Sequence, residues 1–294
     1  MKIYIAGCGG MLGDAVFKHF SKKHQVLATD IRGTDGWWKY NDVRDYHTQH
    51  FAISEFQPDV IMNLAAETDL EYCETHGNDT LSTNAGGSAV LSAIATKFGL
   101  TYVYISTAGI FDGKRVHYNE FDEPIPLSLY GKGKYYGEVI AETVPKHIIV
   151  RPGWMMGGGP AKDKKFINKL HKQLLAGAKE ISAVADKAGT PTYTNDLAKT
   201  LDALIEAKQY GLFNCTCKGA TNRYEVAKEF VRLMGLENRI PVNLVDSKVF
   251  NKEFFAARPA SEVLDCSLIE SLGHSRMRDW QESLAEYVKE FPAL

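Results

Sequence analysis

The chain has 294 residues, 45% hydrophobic and 24% charged, with a formal net charge of −2, so it can bury a substantial core in one large or two modest domains. The near-neutral balance gives no electrostatic case for nucleic acid or an anionic membrane as partner. No apolar run reaches the length of a membrane span, and MKIYIAGCGG reads as a strand running into glycines rather than a signal peptide.

KIYIAG (2–7) is the first expected strand, and Leu12 to Lys22 reads as an amphipathic helix. Gly7, Gly10 and Gly13 lie between them as G-x-x-G-x-x-G, with Met11 and Leu12 inside the motif. A glycine turn at that place brings backbone N–H groups close to a pyrophosphate at the helix N-terminus. HQVLATD (24–30) is the second strand, ending on Asp30, where a carboxylate accepts from the adenosine ribose. That favours NAD over NADP, and Ile31 follows beside the adenosine; Arg32 leaves NADP open by offering charge to a 2′-phosphate. Asp42 and Val43, after a loop holding Trp37 and Trp38, are candidates to flank the adenine. His47 and His50 are close in sequence but have no supporting ligand cluster, so no metal is expected.

DVIMNLAA (59–66) is the third strand; Leu64, Ala65 and Ala66 offer small or apolar groups where a cofactor passes closely. A helix runs through 85–99, and TYVYIST (101–107) is the fourth strand, with Ser106 and Thr107 at its carboxyl end. The next helix carries LYGKGKYYGE (129–138), in which Tyr130 and Lys134 form Y-x-x-x-K and share a helix face. A phenol titrates near pH 10, too high for ready exchange near neutrality. A neighbouring ammonium lowers that value and can hold a nicotinamide ribose, which suits acid–base work. Gly131, Gly133 and Gly137 each cost a helix about 1 kcal/mol relative to alanine, so close approach to cofactor or a neighbouring helix is expected.

KHIIVRPGW (146–154) is the fifth strand and RPGWMMGGGP a loop. A helix at 163–179 follows, then GTPTY leads into a helix with Thr194 or Asn195 as candidate N-cap. GLFNCTC (211–217) returns as a strand with Cys215 and Cys217 on one face, and helices follow at 222–235 and 278–290. The five cysteines are odd in number and lack zinc spacing, so buried thiols in a reducing, cytoplasmic setting are expected. The whole reads as α/β: a Rossmann-like doubly wound parallel sheet with a smaller, mixed C-terminal substrate lobe. The expected division is 1–155 with a returning segment 192–217 for NAD(P), and 156–191 with 218–294 for substrate.

These motifs resemble the extended short-chain dehydrogenase/reductase superfamily and, within it, the dTDP-4-dehydrorhamnose reductase family. The resemblance runs nearly end to end, through GCGGMLG (7–13), NLAAET (63–68), STAGIFDG (106–113), YGKGKYYGE (130–138), GTPTYTNDLA (189–198) and RPASEVLD (258–265). It implies an NAD(P)H-dependent reductase of the C4 keto group of a nucleotide-linked 6-deoxy sugar. By the same resemblance Thr107 is the catalytic hydroxyl, Tyr130 the proton donor and Lys134 its partner. Trp154 walls the sugar, Arg258 meets the diphosphate, and a homodimer is possible. Two places depart from the family: Ala108 and Gly109 replace an acidic and an aromatic residue, and Asp186-Lys187 replaces an Asp-Gln pair. The rival readings are a nucleotide-sugar epimerase, a reductase of another 4-keto sugar, and a non-catalytic NAD(P)-binding regulatory subunit.

Overall fold

Short β-branched runs with both faces buried form the centre of the molecule, as a parallel sheet requires. The computed structural model describes residues 1–33 and 36–293. In chain order the strands of the main sheet are β1 (Lys2–Ala6), β2 (Gln25–Asp30), β3 (Lys39–Tyr40), β4 (Val60–Asn63), β5 (Thr101–Ile105), β6 (His147–Arg151) and β7 (Gly211–Asn214). They lie in the order β7-β6-β5-β4-β1-β2-β3, every neighbouring pair parallel. The Rossmann-like doubly wound sheet is what the chain forms. Its order reverses beside β1, and that switch point opens a crevice at the carboxyl ends of β1 and β4.

Alternation along β1 sends Ile3 and Ile5 to one apolar cluster and Tyr4 to the other. The first cluster includes Val16 of α1 (Met11–Phe20) and Leu201 of the helix Thr194–Glu206. The second includes Ile53 of α2 (Tyr46–Phe56) and Leu91 of α3 (Gly87–Phe98). Helices therefore cover both faces. Three small two-stranded sheets lie apart from the main one, pairing Trp154–Met156 with Pro191–Tyr193, Ala188–Gly189 with Thr221–Asn222, and Ile181–Val184 with Val242–Val245.

Several local expectations are corrected. The fifth strand stops at Arg151, because Pro152 has no N–H for the ladder; Trp154–Met156 then pairs elsewhere, so RPGWMMGGGP is not all loop. The third strand ends at Asn63, leaving Leu64 to Ala66 outside it. Neither Thr194 nor Asn195 caps its helix: Tyr193 holds that position, and Thr194 is the first helical residue. The last strand ends at Asn214, so Cys215 and Cys217 lie in the chain beyond it, where both are buried free thiols.

The acid–base motif lies on α4 (Leu129–Glu142), started by Ser128, whose hydroxyl accepts the Gly131 N–H at 3.1 Å. Its glycines have a packing reason. A β-carbon on Gly131 would lie 2.5 Å from the Gly109 carbonyl oxygen, and one on Gly137 2.5 Å from that of Asn84, overlapping the Tyr104 hydroxyl as well. The close neighbours are thus the turn Ala108–Ile110, strand β5 and the π-helical turn Ser82–Gly86. Gly137→Ala is expected to cost about 1–3 kcal/mol through overpacking, read as a lower thermal midpoint. An unchanged midpoint would mean that α4 and β5 are not in this contact.

Candidate active site

The glycine turn closes the crevice between β1 and β4. Gly7 has φ +89°, and a β-carbon there would sit 2.6 Å from the Leu64 carbonyl carbon; one on Gly13 would sit 2.5 Å from Cys8 Cα. Only glycine lets the turn meet the Leu64–Ala65 backbone and lets α1 seat against Cys8. Gly10 caps α1 without a side-chain acceptor, so the first amides of α1 stay available to an anion. Met11 and Leu12 begin that helix.

Asp30 ends β2 with its carboxylate fixed by two backbone donors, Gly9 N–H at 2.8 Å and Arg32 N–H at 2.9 Å. Ile31 and Arg32 are exposed beside it. Asp42 is engaged elsewhere: the Arg44 guanidinium grips it at 2.7–3.0 Å and holds its carboxyl below the usual range. The Asp42 carboxylate is therefore held in an ion pair with Arg44 rather than free to meet a ligand. Val43 is buried against Gly87, where a β-carbon would approach its Cγ1 to 2.7 Å. Beyond Leu64, Ala65 and Ala66, Asn84 pins Glu67 through two hydrogen bonds, of 2.8 and 3.0 Å.

Thr107, at the end of β5, is 8% exposed and accepts the Gly109 N–H at 3.1 Å. Its Oγ1 and Tyr130 Cε1 both border the space that a β-carbon on Gly109 would take, at 3.4 and 3.7 Å, whereas the Ser106 hydroxyl is buried without a partner among the described residues. That separates the two hydroxyls left open by the strand pattern. Lys134 lies one turn along α4, 3% exposed, its Nζ 4.2 Å from the Tyr104 ring centroid. Burial pushes Tyr130 up to about 12, partly offset by Thr107. Burial also pushes Lys134 down to about 7, partly offset by Glu138. The expected lowering of the phenol by Lys134 is therefore not found: burial dominates, and it is Thr107 that opposes it. A phenol that keeps its proton at neutral pH is nonetheless the form an acid must have.

Behind Lys134, Glu138 receives Arg151 in a buried two-point pair, Nε–Oε2 3.1 Å and Nη2–Oε1 2.5 Å. This ties α4 to β6. Across the crevice stands Trp154, whose indole N–H donates to Glu262 Oε2 at 2.6 Å. Gly189 admits the indole, since a β-carbon there would lie 2.5 Å from Trp154 Cε2. The Arg223 guanidinium stacks 3.9 Å from the Trp154 ring centroid and 4.8 Å from that of Phe166, and burial pushes it down to about 10. Arg258 pairs with Glu71 at 2.8 Å and donates to the Ala256 carbonyl at 2.9 Å.

Thr107, Tyr130 and Lys134 thus come together, with Trp154 and Glu262 facing them; Arg258 is joined to this group through the RPASEVLD segment. Sequence reasoning missed Glu262, Arg223, Gly189 and the Glu138–Arg151 pair. Glu262 lay inside a quoted motif, but nothing local marks which motif residue points inward. Arg223, just after the helix-capping Asn222, looks like any first-turn arginine.

The family model described as RmlD substrate binding domain matches residues 1–292. A dTDP-4-dehydrorhamnose reductase of Aggregatibacter actinomycetemcomitans is 30% identical, covering 96% of this chain and 97% of its own. Methionine adenosyltransferase 2 subunit beta of Danio rerio is 28% identical over 93% of this chain and 85% of its own. Among solved structures, a dTDP-4-dehydrorhamnose reductase of Clostridium acetobutylicum is 34% identical with a TM-score of 0.88, covering 98% of this chain and 99% of that one. One from Bacillus anthracis, in complex with NADP, is 26% identical with the same TM-score of 0.88, covering 99% of each chain.

Proposed function

The chain belongs to the RmlD substrate binding domain family, and from that premise we propose that it reduces the C4 keto group of a nucleotide-linked 6-deoxy sugar, in the manner of a dTDP-4-dehydrorhamnose reductase. The observation that carries this reading is the convergence of Thr107 and Tyr130 beside Gly109, past the carboxyl end of β5, with Lys134 buried one turn along α4. We assign residues 1–155 with 192–217 to the cofactor, and 156–191 with 218–294 to the sugar nucleotide.

The residues present fit a nicotinamide dinucleotide. Gly7, Gly10 and Gly13 leave room for a pyrophosphate, and the carboxylate of Asp30 is held ready for ribose hydroxyls. A nicotinamide held there by the glycine turn and Lys134 would supply the hydride for C4. Thr107 and Tyr130 hold the carbonyl oxygen, and Tyr130 gives it a proton as charge develops. Lys134 stabilises the resulting phenolate and holds the ribose. Trp154 forms one wall for the sugar. Arg258 meets the diphosphate, sharing its guanidinium with Glu71. The five free cysteines support a reducing, cytoplasmic setting.

The preferred cofactor in this reading is NADH, since a buried carboxylate at Asp30 repels a 2′-phosphate. Asp30→Ala is expected to move the ratio of kcat/KM for NADPH over NADH upward by about tenfold, equivalent to roughly 1.4 kcal/mol. Parallel assays with the two cofactors measure it, and an unchanged ratio would remove Asp30 from cofactor choice. The function itself is tested by incubating the protein with dTDP-4-keto-6-deoxy sugars and NADH or NADPH. Net loss of reduced-nicotinamide absorbance in step with sugar product is expected. Sugar conversion without net oxidation would indicate an epimerase, and no conversion at all either a reductase of another 4-keto sugar or a regulatory subunit.

A further inference from the structure

Glu262 has no part in the mechanism above, yet its carboxylate faces the reacting groups. Its Oε2 is fixed by the Trp154 indole N–H at 2.6 Å, and its Oε1 receives no hydrogen bond among the described residues. A β-carbon built on Gly109 would have three nearest neighbours: Glu262 Oε1 at 3.4 Å, Thr107 Oγ1 at 3.4 Å and Tyr130 Cε1 at 3.7 Å. These groups surround one methyl-sized space, unfilled because residue 109 is glycine. Ala108 and Gly109 also stand where the resembled family carries an acidic and an aromatic residue. A carboxylate absent from the segment after Thr107 thus arrives from the segment RPASEVLD.

We infer that Glu262 is a specificity-determining residue that accepts a hydrogen bond from the hydroxyl on the sugar carbon next to the reacting carbonyl. The inference rests on the proposed keto-sugar reduction. Thr107 and Tyr130 occupy the carbonyl oxygen as donors. A carboxylate beside them cannot bond that oxygen, since both are acceptors. It can reach only substituents on the neighbouring carbons. In a 4-keto-6-deoxy sugar, C5 bears the ring oxygen and a methyl group, neither of them a donor, while C3 bears a hydroxyl. Burial pushes the Glu262 carboxyl up, and the Trp154 N–H, the guanidinium groups of Arg223 and Arg258 and the ammonium of Lys187 oppose that shift and favour the ionised acceptor. Charge-assisted bonds of this kind are the strong ones.

The test compares dTDP-linked 4-keto-6-deoxy sugars with and without the C3 hydroxyl. Wild type is expected to favour the hydroxylated sugar by roughly 10- to 100-fold in kcat/KM, as a hydrogen bond to a charged group supports. In Glu262→Ala that preference should fall to about threefold or less, with the loss in the KM of the hydroxylated sugar. Glu262→Gln, which keeps the volume and a neutral acceptor, should lie between them. A preference that survives in both variants overturns the inference. So does an equal fall for both sugars, which would place Glu262 in the proton step or in folding. Binding of the corresponding 4-hydroxy nucleotide sugars, followed by tryptophan fluorescence, reads the same preference without turnover. A chain that converts neither sugar but still discriminates through Glu262 would overturn the reductase reading alone; no discrimination in wild-type binding would overturn this one.

Discussion

Replacing Tyr130 with phenylalanine is expected to lower kcat by about 10²–10⁴-fold, the usual contribution of a positioned general acid, while cofactor affinity changes little. The substitution removes one oxygen and keeps the ring, so the packing of α4 against Gly109 and Thr107 is preserved. Thr107 still accepts the Gly109 N–H and still offers a donor to the carbonyl oxygen. What is lost is the phenol beside Thr107, and with it the proton. Its high pKa does not weaken the prediction, because in the reducing direction the phenol must start protonated. Steady-state turnover and cofactor titration separate the two quantities. A kcat within about threefold of wild type would mean that another group, or water, supplies the proton.

Arg151→Ala should be the most damaging change to stability outside the apolar core, at about 3–5 kcal/mol. Glu138 is 0% exposed and Arg151 3%. Truncating the arginine would leave a buried carboxylate, between α4 and β6, without the two hydrogen bonds that satisfy it. Converting both residues to apolar side chains of similar volume should recover most of the loss, since the desolvation cost of the pair disappears with its charges. Denaturant unfolding of the single and double variants measures both. A single variant costing under about 1 kcal/mol would contradict the buried-pair account. Because Glu138 also raises the pKa of Lys134, damage here reaches the acid–base helix without touching the site directly.

Features that depend on adjacent residues were legible in the sequence. The strand–glycine–helix start, the apolar runs of β1, β4, β5 and β6, and the Tyr130–Lys134 spacing are all local patterns, and the sheet follows from them. Features that depend on distant pairing were not. Lys39–Tyr40 is too short to carry a period, and Trp154–Met156 is a strand only because Pro191–Tyr193 lies beside it. The bonding of Asp42 to Arg44 and of Trp154 to Glu262 needs coordinates, as does the burial that moves Tyr130 and Lys134 in opposite directions. The glycines of α4 were visible as a cost, but their cause, the Tyr104 hydroxyl and the Asn84 carbonyl, lies on other elements.

The central claim is that hydride goes to sugar C4 while the chain supplies the proton. The most direct measurement is a reaction of dTDP-4-keto-6-deoxy sugar with NADH carrying deuterium at the transferable position, read by NMR of the product. One deuterium at sugar C4 for each cofactor oxidised is the expected result. Product without deuterium at C4, or sugar altered with no net oxidation of cofactor, would contradict it.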